Sequence, residues 1–349
     1  MADDVSPPGQ VAVQPRPFEY ALLAQDNLRR YGTDSRRYGG RLLADRYADR
    51  THFIYELLQN AEDALRKRLG WAGSRAVRFA LCENHLRVSH FGKPFDEPDV
   101  RGICGIDEST KDLTAIGRFG IGFKSVYAFT DRPEVHSGPE DFAIEDFVRP
   151  VAVPPIERDP DETVIAIPLH SSLDVPVIAA GLTALGPNAL LFLREIDQIE
   201  WSVQDGPSGL YLRDRPSLED ELARQVKVIG EQDGHPDVEE DWLLFSRPMG
   251  QADGEQANHV ELAFRLEIDP AREPRWIRRI ARSMLTCSSR PLSKRISRFC
   301  CKGRCARPRA ATPCRRTMSG TSAACTWPGA CWPMRCAGFA STACWMSRR

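Results

Sequence analysis

Two short blocks constrain this chain more than any other feature: ELLQNAEDALRKR at residues 56–68 and GRFGIGFKSVYAFTD at residues 117–131. In the first block, Glu56, Asn60 and Asp63 follow one another at helical spacing, so they share one narrow polar face. The opposite face is apolar and predicts a helix buried against a sheet; it comprises Ile54, Leu57, Leu58, Ala61 and Leu65. Alone, this pattern is typical of any amphipathic surface helix.

The second block places three glycines just before a predicted helical segment at residues 123–130: Gly117, Gly120 and Gly122. Glycines at such a point let backbone N–H groups approach an anion at the positive end of a helix. The block does not match a Walker loop, because Phe123 separates the last glycine from Lys124. Its order, G-x-x-G-x-G, also differs from the dinucleotide-binding order. The block therefore predicts a phosphate-binding loop of another kind.

In combination, E-x-x-x-N-x-x-D-A, then S-T-K about fifty residues later, then G-x-F-G-x-G-F resemble the Bergerat-fold ATPases. That superfamily includes the gyrase ATPase subunit, mismatch-repair ATPases, histidine kinases and the ninety-kilodalton heat-shock chaperones. The blocks are most similar to the chaperone branch, and the short segment between Lys111 and Gly117 resembles sacsin and its bacterial relatives. The resemblance extends from about Phe18 to Trp201. It implies a two-layer α/β sandwich, with helices on a mixed, mostly antiparallel sheet.

The resemblance assigns a role to each matching residue. Asn60 would bind, through its side-chain oxygen, the Mg²⁺ that bridges the phosphates, as suits a hard cation. Glu56 would be the catalytic residue that orients and deprotonates the attacking water, and Asp63 would support the site. Lys124 would reach a phosphate or would instead be a surface lysine. The other cofactor-binding positions are the start of the lid, the phosphate loop and a strand threonine near the adenine: Ser109, Thr110, Lys111, Gly117, Phe119, Gly120, Ile121, Gly122, Phe123 and Thr163.

One stretch departs from the family pattern. The first glycine box of the family is D-x-G-x-G, in which the aspartate accepts a hydrogen bond from the adenine amino group; here residues 90–94 are HFGKP. We interpret the histidine as a feature of the sacsin-like branch and include His90 and Gly92 in the site, because a neutral histidine accepts a hydrogen bond through one ring nitrogen. A histidine packed at a strand end is the alternative, so base specificity stays open.

Charge and cysteine are unevenly distributed along the 349 residues. Residues 284–349 contain 13 of the 47 basic residues, none of the 48 acidic ones and nine of the eleven cysteines. The preceding part, with 34 basic and 48 acidic side chains, is an improbable partner for nucleic acid, because phosphate neutralisation needs a basic face. This part has only Cys82 and Cys104 and no apolar run long enough to span a membrane. We therefore expect a cytoplasmic protein with no membrane partner.

The sequence predicts four parts. Residues 1–17 are rich in proline and predict a disordered lead, and residues 18–201 predict the ATP-binding domain, with a long helix at 41–69 and a hairpin of AVRFAL and LRVSH. Short alternating runs at 202–283 predict the start of a β-rich middle domain, truncated in this chain. Residues 284–349 lack a period that would bury a continuous face, and predict a disordered tail.

Three interpretations of this tail are open. A zinc module needs paired ligands such as C-x-x-C, which the cysteines do not form, and no histidine follows His259. A basic nucleic-acid arm fits the charge but not the tryptophans among cysteines and prolines. We favour a frameshift, because such a composition without acids is typical of GC-rich coding DNA translated out of frame. Synonymous codons also permit an acidic, amphipathic sequence one base earlier.

The resulting hypothesis is Mg²⁺–ATP binding, with hydrolysis in a full-length form, that drives conformational switching of a chaperone-like protein. This truncated chain would be a weak or inactive ATPase. One alternative is a scaffold that binds nucleotide without turnover. Another is phosphoryl transfer of the histidine-kinase type, for which the only histidine upstream of the site is His52. The nucleotide is the predicted partner, and the sequence leaves a protein client and dimerisation open.

Overall fold

The computed structural model describes residues 18–32, 50–105, 122–214, 223–249, 258–267, 276–277, 283–287, 290–291 and 296–303. The predicted lead at 1–17 and the stretch 106–121, which holds the lid start and most of the phosphate loop, lie outside the described residues. Within the described part, no helix has the length and apolar character needed to cross a membrane.

The described residues up to 214 form four α-helices: α1, Tyr20–Tyr31; α2, Phe53–Lys67; α3, Glu97–Cys104; and α4, Val175–Thr183. Four 3₁₀ turns accompany them, at Arg50–His52, Phe123–Ala128, Ser172–Asp174 and Pro187–Phe192. The start of α3 is fixed by a capping box, in which Asp96 accepts from the backbone N–H of Asp99 and the Asp99 carboxylate accepts in return from that of Asp96.

The strands form one mixed, mostly antiparallel sheet. Their bounds are β1 Ala76–Leu81, β2 His85–His90, β3 Glu134–Ser137, β4 Glu140–Glu145, β5 Arg149–Ala152, β6 Thr163–Pro168, β7 Gln198–Val203, β8 Ser208–Asp214, β9 Ala223–Gln232, β10 Val238–Met249, β11 Asn258–Glu267, β12 Trp276–Ile277, β13 Ser283–Cys287, β14 Arg290–Pro291 and β15 Ile296–Gly303. The order is β14-β13-β15-β11-β10-β9-β8-β7-β1-β2-β6-β3-β4-β5, with β12 beside β11. Among the described strands, β1–β7 and β13–β15 are the parallel pairs. The predicted α/β class with a mixed sheet is therefore confirmed.

The core lies between α2 and the sheet. Phe53, Ile54 and Ala61 of α2 are fully buried, as are Val77 of β1 and Leu86 of β2. Removing this apolar area from water stabilises the fold by about 25 cal/mol for each Å². The apolar face predicted for the helix is thus the face that packs, and its polar face points the other way.

The sheet does not end at the predicted domain boundary. The boundary between 201 and 202 falls inside β7, which pairs with β8, and β8 pairs in turn with β9. The strands of the predicted second domain therefore extend the first sheet, and a separate second domain stays a prediction. Strands β13 to β15 fall within or beside the predicted tail, whereas residues 304–349 lie outside the described residues.

Candidate functional site

Helix α2 presents three predicted site residues on one face. Glu56, Asn60 and Asp63 are each partly buried, while Leu57 and Leu58 on the opposite face are buried. Asp63 forms an ion pair with Arg66, one turn further along, at 2.9 Å. The helix therefore leaves the oxygens of Glu56 and Asn60 at the edge of the core rather than in open solvent.

The carboxylate of Glu56 is held between two parts of the chain. Nε2 of His52 lies 3.1 Å from Oε1 of Glu56, one helical turn earlier. On the other side is Gly122, where an added Cβ would come within 2.1 Å of Oε2 of Glu56. Only a glycine lets the backbone of the second block come this close. The two blocks singled out in the sequence therefore meet at this carboxylate.

The glycine box that differs from the family pattern, residues 90–94, lies at the end of β2 and against α2. The backbone N–H of Gly92 donates to Nδ1 of His90 at 3.0 Å, and the N–H of Lys93 donates to the carbonyl oxygen of Ala64 at 2.9 Å. An added Cβ on Gly92 would come within 2.4 Å of Cβ of Ala64. Glycine is therefore required here by the contact with α2, one turn beyond Asn60.

His90 is an uncharged group at neutral pH. It is 3% exposed, and burial lowers its pKa to about 4, because the charged ring would lose its hydration. His90 also pairs across the β2–β6 ladder with Thr163, so two residues predicted near the base lie side by side.

Thr163 belongs to a buried chain of hydroxyl groups. Its Oγ1 lies 2.5 Å from Oγ of Ser137, and the same Ser137 oxygen accepts the backbone N–H of Phe95 at 3.0 Å. Both hydroxyl residues are fully buried. The sequence does not indicate that Ser137 belongs to the site, because its partners lie on other elements. The contact of His52 with Glu56, by contrast, could have been predicted, since His52 lies four residues earlier and so one helical turn away.

Lys124 is buried and engaged with the backbone. Its Nζ donates to the carbonyl oxygen of Ile103 at 2.7 Å and to that of Phe147. Burial lowers the pKa of Lys124 to about 8, and the neighbouring Cys104 thiol opposes that shift. The alternative of a surface lysine is therefore wrong. Through these two hydrogen bonds the ammonium group links the end of α3 to the turn between β4 and β5. A role of Lys124 in binding phosphate stays a prediction.

The remaining predicted site residues form two groups, those that the structure describes and those that lie outside the described residues. Phe123 is buried and opens the 3₁₀ turn that follows Gly122. The others lie outside the described residues: Ser109, Thr110, Lys111, Gly117, Phe119, Gly120 and Ile121. In the described part of the chain, no group of three or more His, Cys, Asp and Glu side chains is arranged to hold a metal ion.

The mixed sheet, the helix that carries Glu56, Asn60 and Asp63, and the glycine turn against the first of them define an α/β domain, and this is the arrangement that the resemblance to the Bergerat-fold ATPases implies. Residues 41–152 match the family model described as the Sacsin domain, a range that includes both blocks but ends before Thr163. The match supports a sacsin-like, Bergerat-fold domain in this part of the chain.

Three curated relatives agree with this assignment. The chain is 32% identical over 117 residues to Protein NO VEIN of Arabidopsis thaliana, a match that covers 31% of this chain and 4% of that protein. It is 32% identical over 111 residues to Sacsin of Homo sapiens, covering 29% and 2%. It is 27% identical over 154 residues to Chaperone protein HtpG of Sulfurovum sp. (strain NBC37-1), covering 35% and 25%. The chain thus spans a quarter or less of these relatives, and the similarity indicates a chaperone-like ATPase family.

Proposed function

We propose that this chain binds Mg²⁺–ATP between α2 and the second block, and that hydrolysis in a full-length form drives conformational switching of a chaperone-like protein. The observation that carries the proposal is the approach of Gly122 to the Glu56 carboxylate. Residues that are far apart in sequence meet there, in the order and chemistry that a phosphate site needs: a carboxylate, an amide oxygen one turn later and a glycine backbone.

The donor set fits a metal that arrives with its nucleotide. Mg²⁺ prefers oxygen ligands and usually combines one or two protein oxygens with substrate phosphates and water. Asn60 supplies one such oxygen, and the described residues hold no preformed metal cluster. When bound, ATP and Mg²⁺ supply the transferable phosphoryl group and the charge that neutralises it. The chain contributes orientation: His52 fixes the Glu56 carboxylate, which would hold the attacking water and accept its proton.

The finer assignments belong to the same proposal. Ser109, Thr110 and Lys111 would begin the lid, the loop glycines would approach the phosphates, and Lys124 would reach a phosphate. Asp63 would support the site, and His90 and Thr163 would lie near the base. A cytoplasmic location, a second β-rich domain and a frameshifted tail are likewise proposals, and a protein client and dimerisation stay open. The tail would also leave the chain a weak ATPase, because the chaperone branch draws on an arginine from the following domain.

The histidine-kinase alternative is weakened by the structure. It would need an accessible phosphoacceptor histidine, but His52 is 4% exposed and its Nε2 is bonded to Glu56. A scaffold that binds nucleotide without turnover uses the same residues and differs only in its chemistry.

Replacement of Asn60 tests the proposal. Asn60→Ala removes the only predicted protein ligand of Mg²⁺ from a partly buried helix position, so Mg²⁺-dependent ATP binding measured by titration calorimetry should be lost while the fold is kept. The matched control is Asn84→Ala, in the exposed turn between β1 and β2, which should bind as the parent does. Unchanged ATP affinity in Asn60→Ala would contradict the metal assignment.

A further inference from the structure

Glu62 of α2 is a buried acid that the predicted site does not use. It follows Asn60 by two residues, about 200° around the helix, so its side chain leaves α2 on the side away from Asn60. Glu62 is 5% exposed. A buried acid is costly unless it is paired or hydrogen-bonded, so the partners of Glu62 decide what it does.

The partners of Glu62 are three consecutive backbone N–H groups. Oε1 accepts from Arg194 at 2.7 Å and from Glu195 at 3.1 Å. Oε2 accepts from Glu195 at 3.0 Å and from Ile196 at 3.1 Å. These residues lie just before β7, and hydrogen bonds to a carboxylate are stronger than those between neutral groups. One side chain therefore joins α2 to the backbone that leads into β7.

Strand β8 holds the same backbone segment from its other side. The side chain of Arg213, itself buried, donates to the carbonyl oxygens of Leu193 and Arg194 and pairs with the carboxylate of Asp197. The N–H groups of the segment 193–197 are thus bound by α2, and its carbonyl oxygens are bound by β8. The segment is a direct connection between the helix and the strands that follow.

We propose that Glu62 is a positioning residue, which couples nucleotide binding on one side of α2 to the segment 193–197 and to β7 on the other side. This inference rests on the proposed function, because the coupling requires a nucleotide that ties α2 to the second block. A ligand that binds only the intact site makes local opening of its elements rarer. Since the hydrogen bonds of Glu62 break when α2 opens, the three N–H groups exchange with solvent more slowly in the bound state.

Hydrogen–deuterium exchange of the intact chain, with and without Mg²⁺ and saturating ATP, measures this coupling. In the parent chain, nucleotide should slow exchange in peptides covering residues 56–64 and 122–128, and also in peptides covering residues 193–203. Slower exchange in the first two regions with no change at 193–203 overturns the proposal.

Glu62→Gln removes an acceptor while keeping the size of the side chain. Its NH₂ group cannot accept, so at least one of the three N–H groups loses its partner. Since the side chain leaves α2 away from Asn60, titration calorimetry should show ATP affinity within a few fold of the parent, whereas the nucleotide-dependent slowing at 193–203 should be lost. A variant that keeps this slowing in full, or that no longer binds ATP, overturns the proposal.

A merely structural role of Glu62 gives a different result. Exchange at 193–203 would then be faster in Glu62→Gln both with and without nucleotide, and the difference between the two states would persist. The matched control is Glu195→Gln, which changes the side chain that pairs with Arg75 but keeps the backbone N–H that donates to Glu62. The control should retain the slowing of the parent, and its loss there as well would contradict a specific role of Glu62.

Failure of the proposed function has its own outcome. In that case nucleotide slows exchange at neither 56–64 nor 122–128 in the parent chain, and the coupling fails with it. Slowing in those two regions alone supports the site and contradicts the coupling. Thermal unfolding reports whether Glu62→Gln is folded, and if it is not, the result at 193–203 in the parent chain decides.

Discussion

The carboxylate of Glu56 has a neighbour on each side, His52 at Oε1 and Gly122 at Oε2. A side chain held in this way can place a water molecule for attack without first losing rotamer freedom. The residue is therefore suited to a role in turnover that its position in the helix alone would not reveal.

Replacement of Glu56 separates binding from chemistry. In a longer form of the protein that releases phosphate from ATP, Glu56→Ala should keep ATP affinity within a few fold but reduce phosphate release by about 10²–10⁴, the usual contribution of a general base. The matched control is Glu83→Ala, in the exposed β1–β2 turn. Undiminished phosphate release from Glu56→Ala would exclude it as the base, and absent release from the parent would favour the scaffold alternative.

Stability at acid pH reports on His90. Its pKa in the folded chain, about 4, is below the usual value of 6.5, so between these values the unfolded chain binds more protons than the folded one. The stabilising contribution is fully present above about pH 6.5 and is lost as the pH falls towards 4, by about 3 kcal/mol if the whole shift applies. Urea unfolding of the parent and of His90→Asn at pH 7 and pH 4.5 should show a smaller loss in the variant. Equal losses would contradict a neutral, buried His90.

At the scale of elements, the hydrophobic periodicity of the sequence predicts those helices and strands whose formation depends on local sequence. It predicts the helix that carries Glu56, at residues 41–69. The described helix begins only at Phe53, because a 3₁₀ turn precedes it. Residues 41–49 lie outside the described residues. It also predicts the β1–β2 hairpin, whose register joins Val77 to His90. The segment after Gly122 is a 3₁₀ turn, which the sequence pattern does not distinguish from an α-helix.

Contacts made across long sequence separations were not predictable. Glu62 lies among polar residues in the sequence, yet it is buried and accepts the backbone N–H groups of Arg194, Glu195 and Ile196. The burial of Lys124 against two carbonyl oxygens has the same origin. Such polar groups are buried only where tertiary structure brings a partner to them, and no local pattern encodes that partner.

The turn at Gly122 gives an element-scale prediction. Its backbone is helical, with φ −62° and ψ −44°, so alanine fits without backbone strain. The new Cβ would instead displace the Glu56 carboxylate, which is the flexible end of a side chain. Gly122→Ala should therefore lower turnover of a full-length form by about 10²-fold, as misplacement by about 1 Å can do, and leave the melting temperature nearly unchanged. Normal turnover would show that the contact with Glu56 has no role in the chemistry.

At the scale of the whole molecule, helix α2 is connected to strands well beyond it. Glu62 of α2 holds the backbone that leads into β7, and Arg194 in that segment forms an ion pair with Glu261 of β11 at 2.8 Å. A second arginine, Arg213 of β8, pairs with Asp197 at 2.6 Å. A shift of α2 on nucleotide binding would therefore act directly on the strands that follow the site.

Hydrogen–deuterium exchange of the intact chain tests the central claim, that a nucleotide binds with Mg²⁺ between α2 and the second block. With Mg²⁺ and saturating ATP or GTP, exchange should slow in peptides covering residues 56–64, 90–95 and 122–128, and EDTA should abolish the effect. Peptides from β9 and β10, residues 223–249, serve as the internal control and should change less. Protection confined to other segments, or protection at these three that persists in EDTA, would contradict the account.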